Sequence, residues 1–205
     1  MAVTLGQGAL AGFDEPIRVL MDCHRRIEKF LSLLLRVADE CRGEAMGSEY
    51  REAAESALRY FANAAPHHTA DEEQSLFPAL RRHADDPRVA EALRRIALLE
   101  ADHDKADAAH ARVAELMQRW LDEGTLPAAP LAELRETLAT LHATYVRHIA
   151  EEDEVIFPLA AEVLAREVLI DVGRSMANRR GIEPNTTGPR CKHAQPNHHA
   201  KQDHS

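Results

Sequence analysis

The chain has 205 residues, 45% hydrophobic and only 4% aromatic, with a formal net charge of −9. That length suits one domain with a tail, and an aliphatic core with few aromatic side chains favours an all-α fold over a β-sandwich. The acidic balance excludes a general basic field for nucleic acid or an anionic membrane, and no apolar run reaches the roughly 18 residues of a membrane span, so a cytoplasmic protein is expected.

The first helical signal begins at Pro16, with Asp14 as a cap, and runs to Arg42, where Gly43 and Gly47 interrupt it. Ile17, Leu20, Met21, His24, Ile27, Leu31, Leu34 and Leu35 recur at steps of three and four, which places His24 on the apolar stripe. Ser48 is expected to cap a second helix that continues to Phe77, with a kink at Pro66 and an end or bend at Pro78. Asp86 and Pro87 then mark a capped start for a third helix, from Arg88 to Glu123, which carries His103 and His110 on its apolar face and stops at Gly124. A fourth helix follows Pro127 and Pro130 and bends or ends at Pro158, and residues 159–178 read as a further, shorter helical stretch.

Four long helices with short connections predict an up-down-up-down antiparallel four-helix bundle over residues 13–160. Residues 161–178 form a short C-terminal helical extension. From 179 to 205 the composition turns to Pro, Asn, Gly, His and Lys, and a disordered tail is expected whose histidines form no selective site. Cys23, Cys41 and Cys191 are odd in number and contain no C-x-x-C pair, so neither a disulfide framework nor a thiolate zinc site is indicated.

One segment is a near-copy of another. His68-Thr-Ala-Asp-Glu72-Glu-Gln-Ser-Leu-Phe77-Pro78 returns 80 residues later as His148-Ile-Ala-Glu-Glu152-Asp-Glu-Val-Ile-Phe157-Pro158. Each copy has the pattern H-x-x-x-E, and each follows another histidine, His24 or His103, at nearly the same distance. Residues four apart share a helix face, so each His and Glu pair can grip one centre. A single such pair is a common surface feature. Two matched copies with inward upstream histidines are different, because without a metal they would bury several polar groups, each costing about 1–3 kcal/mol if unpaired. Four imidazoles and two carboxylates suit a pair of first-row transition ions, and residue type alone leaves iron, manganese, zinc and copper open.

This order, His24, His68, Glu72, His103, His148 and Glu152, resembles the hemerythrin-like (HHE cation-binding) family over about residues 13–160. The resemblance implies two non-haem iron ions, each held by two of the histidines, bridged by Glu72 and Glu152 and by an oxo or hydroxo group. Oxygen-carrying hemerythrins have a fifth histidine four residues after the third-helix ligand, where this chain has Asp107. The symmetric set is more similar to the branch that includes di-iron proteins for repair of iron–sulfur clusters, but the N-terminal cysteine-bearing domain usual there is not expected in the dozen or so residues ahead of the first helix.

Glu28 and Asp107, each four residues after a candidate ligand, are candidates to orient the imidazoles of His24 and His103. Tyr145, three before His148, is a candidate to place a phenol beside one ion. The functional expectation is a di-iron protein that binds or reacts with O₂, NO or H₂O₂, in sensing or in redox or nitrosative stress protection. A peroxide- or NO-reactive oxidoreductase falls within it, and the electron donor and protein partner stay unidentified. The alternative is iron storage or delivery, including repair of iron–sulfur clusters.

Overall fold

The computed structural model describes residues 12–182, all helical where regular and without a strand among the described residues. The tail expected from residue 179 begins later than that, since Arg179 closes the last helix and Arg180 pairs with Asp71, and residues 183–205, with Cys191 and the tail histidines, lie outside the described ones. Helix α1 spans Pro16–Cys41 and α2 spans Ser48–Asn63. The chain breaks at Ala64, where Pro66 was expected to kink it, and resumes as α3 (Ala65–Asp71), a π-helical turn (Glu72–Leu76) and α4 (Phe77–Arg81). The long α5 (Pro87–Glu123) and α6 (Ala128–Glu151) follow, then a second π turn (Glu152–Ile156), α7 (Phe157–Val163) and α8 (Arg166–Arg179).

The Asp86 side chain accepts the Arg88 N–H at 2.8 Å, so the expected cap of α5 is present. The caps expected at the first two helices are not. Glu15 precedes α1 with no side-chain cap, and Ser48 is the first residue of α2, preceded by Gly47. The single stretch expected over 159–178 is two helices, divided where Leu164 turns to an extended backbone.

The π turns are the feature that the periodicity did not show. The Phe77 N–H bonds to the Glu72 carbonyl and the Phe157 N–H to the Glu152 carbonyl, five residues back in each case. The prolines supply the reason. Pro78 and Pro158 bring no N–H and would press their rings on the carbonyls of Gln74 and Glu154 in a regular helix, and a widened turn relieves that clash without ending the rod. Both π turns open on the glutamate of an H-x-x-x-E motif.

Helix α1 packs against α2 and α6, and α5 packs against α6 and α2. The loop after α1 docks on the α5–α6 connection through Leu126 N–H to Gly43 carbonyl, 2.7 Å, and a Cβ at Gly43, whose φ is +82°, would strike the Leu126 carbonyl. Two apolar clusters result. One gathers Ile27, Leu31, Leu34, Leu134 and Trp120, and the other gathers Leu20, Phe77, Ile96, Phe157 and Met176. Each fully buried aliphatic or aromatic side chain contributes about 1.5–3 kcal/mol. On α1, His24 falls between Leu20 of one cluster and Ile27 of the other, and on α5 His103 falls between Leu99 and Ala106 in the same way. A polar layer is thereby enclosed between two dry ones.

Candidate metal centre

All six candidate ligands meet in that layer. His24, Glu72 and Glu152 are fully buried, and His68, His103 and His148 nearly so. Glu72 Oε1 lies 3.8 Å from His24 Nε2 and 3.4 Å from His68 Nε2, while its Oε2 lies 3.5 Å from His103 Nε2. Glu152 Oε2 is 3.2 Å from both His24 Nε2 and His148 Nε2. His103 Nε2 and His148 Nε2 face each other at 3.2 Å. The donor atoms fall into two groups, His24, His68, Glu72 and Glu152 in one, His103, His148 and Glu152 in the other.

This set fits metal ions and fits little else. Both carboxylate oxygens of Glu72 and of Glu152, and His24 Nε2, are buried with no hydrogen-bond partner among the described residues. Leaving such atoms dry and unpaired costs about 1–3 kcal/mol each. Donors that share an ion at about 2.1 Å stand about 3.0–3.4 Å from each other at octahedral or tetrahedral angles, and the cross-distances here run from 3.2 to 3.8 Å.

The protonation states carry the same strain. Burial pushes the Glu72 carboxyl well up, and the neighbouring Glu152 charge adds to it. Burial also works against the Glu152 charge, yet the His148 and His24 rings beside it hold its pKa at about 2. Burial likewise opposes charge on His24, but Asp153, Glu152 and Glu72 around it raise its pKa to about 11. His68 is driven well below its ordinary value by burial and by the His24 charge. Without a cation, the Glu72 carboxyl is pushed toward its protonated form and the His24 ring toward its charged form.

The outer residues differ from those expected. His24 Nδ1 is bonded to Asp153 Oδ1 and His103 Nδ1 to Glu73 Oε1, both at 2.8 Å. The places foreseen for Glu28 and Asp107 are thus taken by the residues that directly follow the two motif glutamates. The bonds are crossed, since each imidazole is held by the other repeat. Asp153 is further bonded to Arg25 at 2.8 Å. The signal was present in the sequence as the acidic doublets Glu72-Glu73 and Glu152-Asp153 at the repeat offset, but spacing along one helix does not show a partner on another.

Tyr145 does come close to the layer, its ring centroid 6.1 Å from that of His148, but its hydroxyl is bonded to His110 Nε2 at 3.1 Å. A second group was not foreseen at all. Asp71, fully buried beside Glu72, is gripped by Arg179 at 2.6 Å and Arg180 at 2.7 Å, from the end of α8. Arg179 also bonds Ser75 and, at 3.4 Å, Gln74 within the first π turn.

The family model of the hemerythrin HHE cation binding domain matches residues 15–160. An uncharacterized protein of Haemophilus influenzae is 27% identical over 178 residues, a match that spans 84% of this chain and 94% of that protein. The matched domain covers all six buried donors and ends before α8.

Proposed function

This chain belongs to the hemerythrin HHE cation-binding family, and from that membership and the buried donor set we propose a non-haem di-iron protein built on an antiparallel four-helix bundle. The observation that carries the reading is Glu72, whose two oxygens face different histidines, Oε1 toward His24 and His68 and Oε2 toward His103. A carboxylate split in this way suits a bridge between two ions, and Glu152, which belongs to both donor groups, suits the same role.

In this reading His24 and His68 would hold one iron, His103 and His148 would hold the other, and Glu72 and Glu152 would be shared by both. The ions when bound would supply exchangeable electrons and coordination positions for a small ligand such as O₂, NO or H₂O₂. The protein supplies the rest. With the ions bound, Asp153 and Glu73 would accept the Nδ1 protons of His24 and His103 and so turn the Nε2 lone pairs inward. The apolar clusters above and below exclude water, and the crossed carboxylates lock the two repeats in register. The physiological role that follows is sensing of, or protection against, reactive oxygen or nitrogen species.

The test is anaerobic loading with Fe(II), measurement of iron per chain, and repeated addition of peroxide. Two irons per chain with sustained peroxide consumption support the proposal. One round of oxidation followed by silence would point to iron storage or delivery instead, and less than one iron per chain would overturn the paired centre.

A further inference from the structure

Of the seams that join α1, α2, α5 and α6, the one between α2 and α5 is the most thinly packed. Small side chains, Ala62, Ala111 and Ala114, leave it open, and a cavity of about 250 Å³ lies there against Leu58, Phe61 and Val113. Among the described residues, Asp107 is the one carboxylate on its wall, and His110 is its remaining polar side chain. His110 stacks on Phe61, ring centroids 4.5 Å apart, and its Nε2 holds the Tyr145 hydroxyl. Behind Tyr145 stands His148. The succession is therefore cavity, His110, Tyr145, metal layer.

We infer that this cavity is the inlet through which a small uncharged molecule reaches the centre, with the His110–Tyr145 hydrogen bond as the gate between cavity and His148. The inference rests on the proposed function and narrows its ligand class. The wall is apolar, and burial keeps His110 neutral with a pKa of about 4 even though Asp107 lies near it. Burial, with the charges of Glu72, Asp107 and Glu152, also keeps the Tyr145 phenol protonated. A neutral diatomic such as O₂ or nitric oxide gives up little hydration along such a path, whereas peroxide must leave hydrogen bonds to water behind and an anion faces the apolar wall, Asp107 and a chain of net charge −9.

The cavity mouth allows a clean test because Ala62 and Ala111 are exposed, outside the buried core. The Ala62→Phe/Ala111→Phe protein should retain wild-type iron content and melting temperature. In the Fe(II)-loaded protein, nitric oxide should bind and leave about tenfold more slowly, with an unchanged dissociation constant, because an inlet changes both rates equally. Tyr145→Phe, which removes the gate bond, should accelerate both rates. In metal-free protein, dissolved xenon should shift the methyl NMR signals of Leu58 and Val113, and the double variant should abolish that shift. Equal nitric oxide rates in the filled and wild-type proteins would overturn the inlet and leave the proposed function standing. A wild-type protein that takes up less than one iron per chain would overturn the proposed function and the inlet with it.

Discussion

Glu73 holds the Nδ1 atom of His103 at 2.8 Å from across the repeat boundary, and Asp153 does the same for His24. The two bonds are equal in length and unequal in surroundings. Asp153 shares its charge with Arg25, which is bonded to its other oxygen, whereas Glu73 is a third exposed. Removal of either carboxylate frees an imidazole to turn and to carry its proton on the wrong nitrogen. The expected result for Glu73→Ala and Asp153→Ala is a loss of about 10–100-fold in metal affinity, read by competition with a chelator. Glu73→Gln, which still accepts from Nδ1, should recover most of it. Unchanged affinity in both alanine variants would remove these residues from the orientation of the site.

Glu72 separates stability from function. In the metal-free protein its carboxyl is buried, unpaired and forced toward the protonated state. An apolar residue of similar size lifts that penalty, so Glu72→Leu should make the metal-free protein more stable by about 1–3 kcal/mol in urea unfolding. The same variant should lose most of the rise in melting temperature that metal gives the wild type. A destabilised metal-free Glu72→Leu protein would mean that the carboxylate is satisfied by contacts other than a cation.

The rods and the six donors were legible in the sequence because both follow from local rules. The stripe through His24 needed only helical periodicity, the α5 cap needed only Asp86 and Pro87, and the donor set needed only a repeated motif. What stayed hidden depended on partners far along the chain. Glu28 has the right spacing from His24, but Asp153, 129 residues away, occupies its Nδ1. The prolines after each motif could be read as ends or bends. That they widen a continuing helix by one residue, starting at Glu72 and Glu152, depends on packing that keeps Phe77 and Phe157 in the core.

His110 makes the metal-free protein sensitive to acid. Its folded pKa, about 4, lies below the ordinary value of 6.5, chiefly through burial. Between those values the unfolded chain binds the proton and the folded chain does not, so stability falls as pH drops from 6.5 toward 4. The full shift would amount to at most about 3 kcal/mol. Urea unfolding of metal-free wild type and His110→Gln at neutral and mildly acidic pH isolates this contribution from that of the other histidines. The variant should lose less stability on acidification, and identical slopes would show that His110 protonates freely in the fold.

Asp71 is the point at which a helix outside the matched domain reaches the metal layer. Its carboxylate is fully buried, adjacent to Glu72, and both of its oxygens are taken by the last arginine of α8 and the residue after it. The corresponding residue of the second repeat, Glu151, is bonded, among the described residues, from Arg95, a half-exposed side chain of α5. The first half of the site is thus secured by α8 and the second is not. Arg179→Ala leaves Arg180 in place and should be mild, whereas the Arg179→Ala/Arg180→Ala protein strands a buried charge and should lose about 3–5 kcal/mol. Because the arginines also hold the π turn through Ser75, the double variant should release metal to a chelator faster than wild type, while Arg95→Ala should not. Restoration by Asp71→Asn in the double-alanine background, which removes the stranded charge, would separate the electrostatic cause from a general loosening of α8.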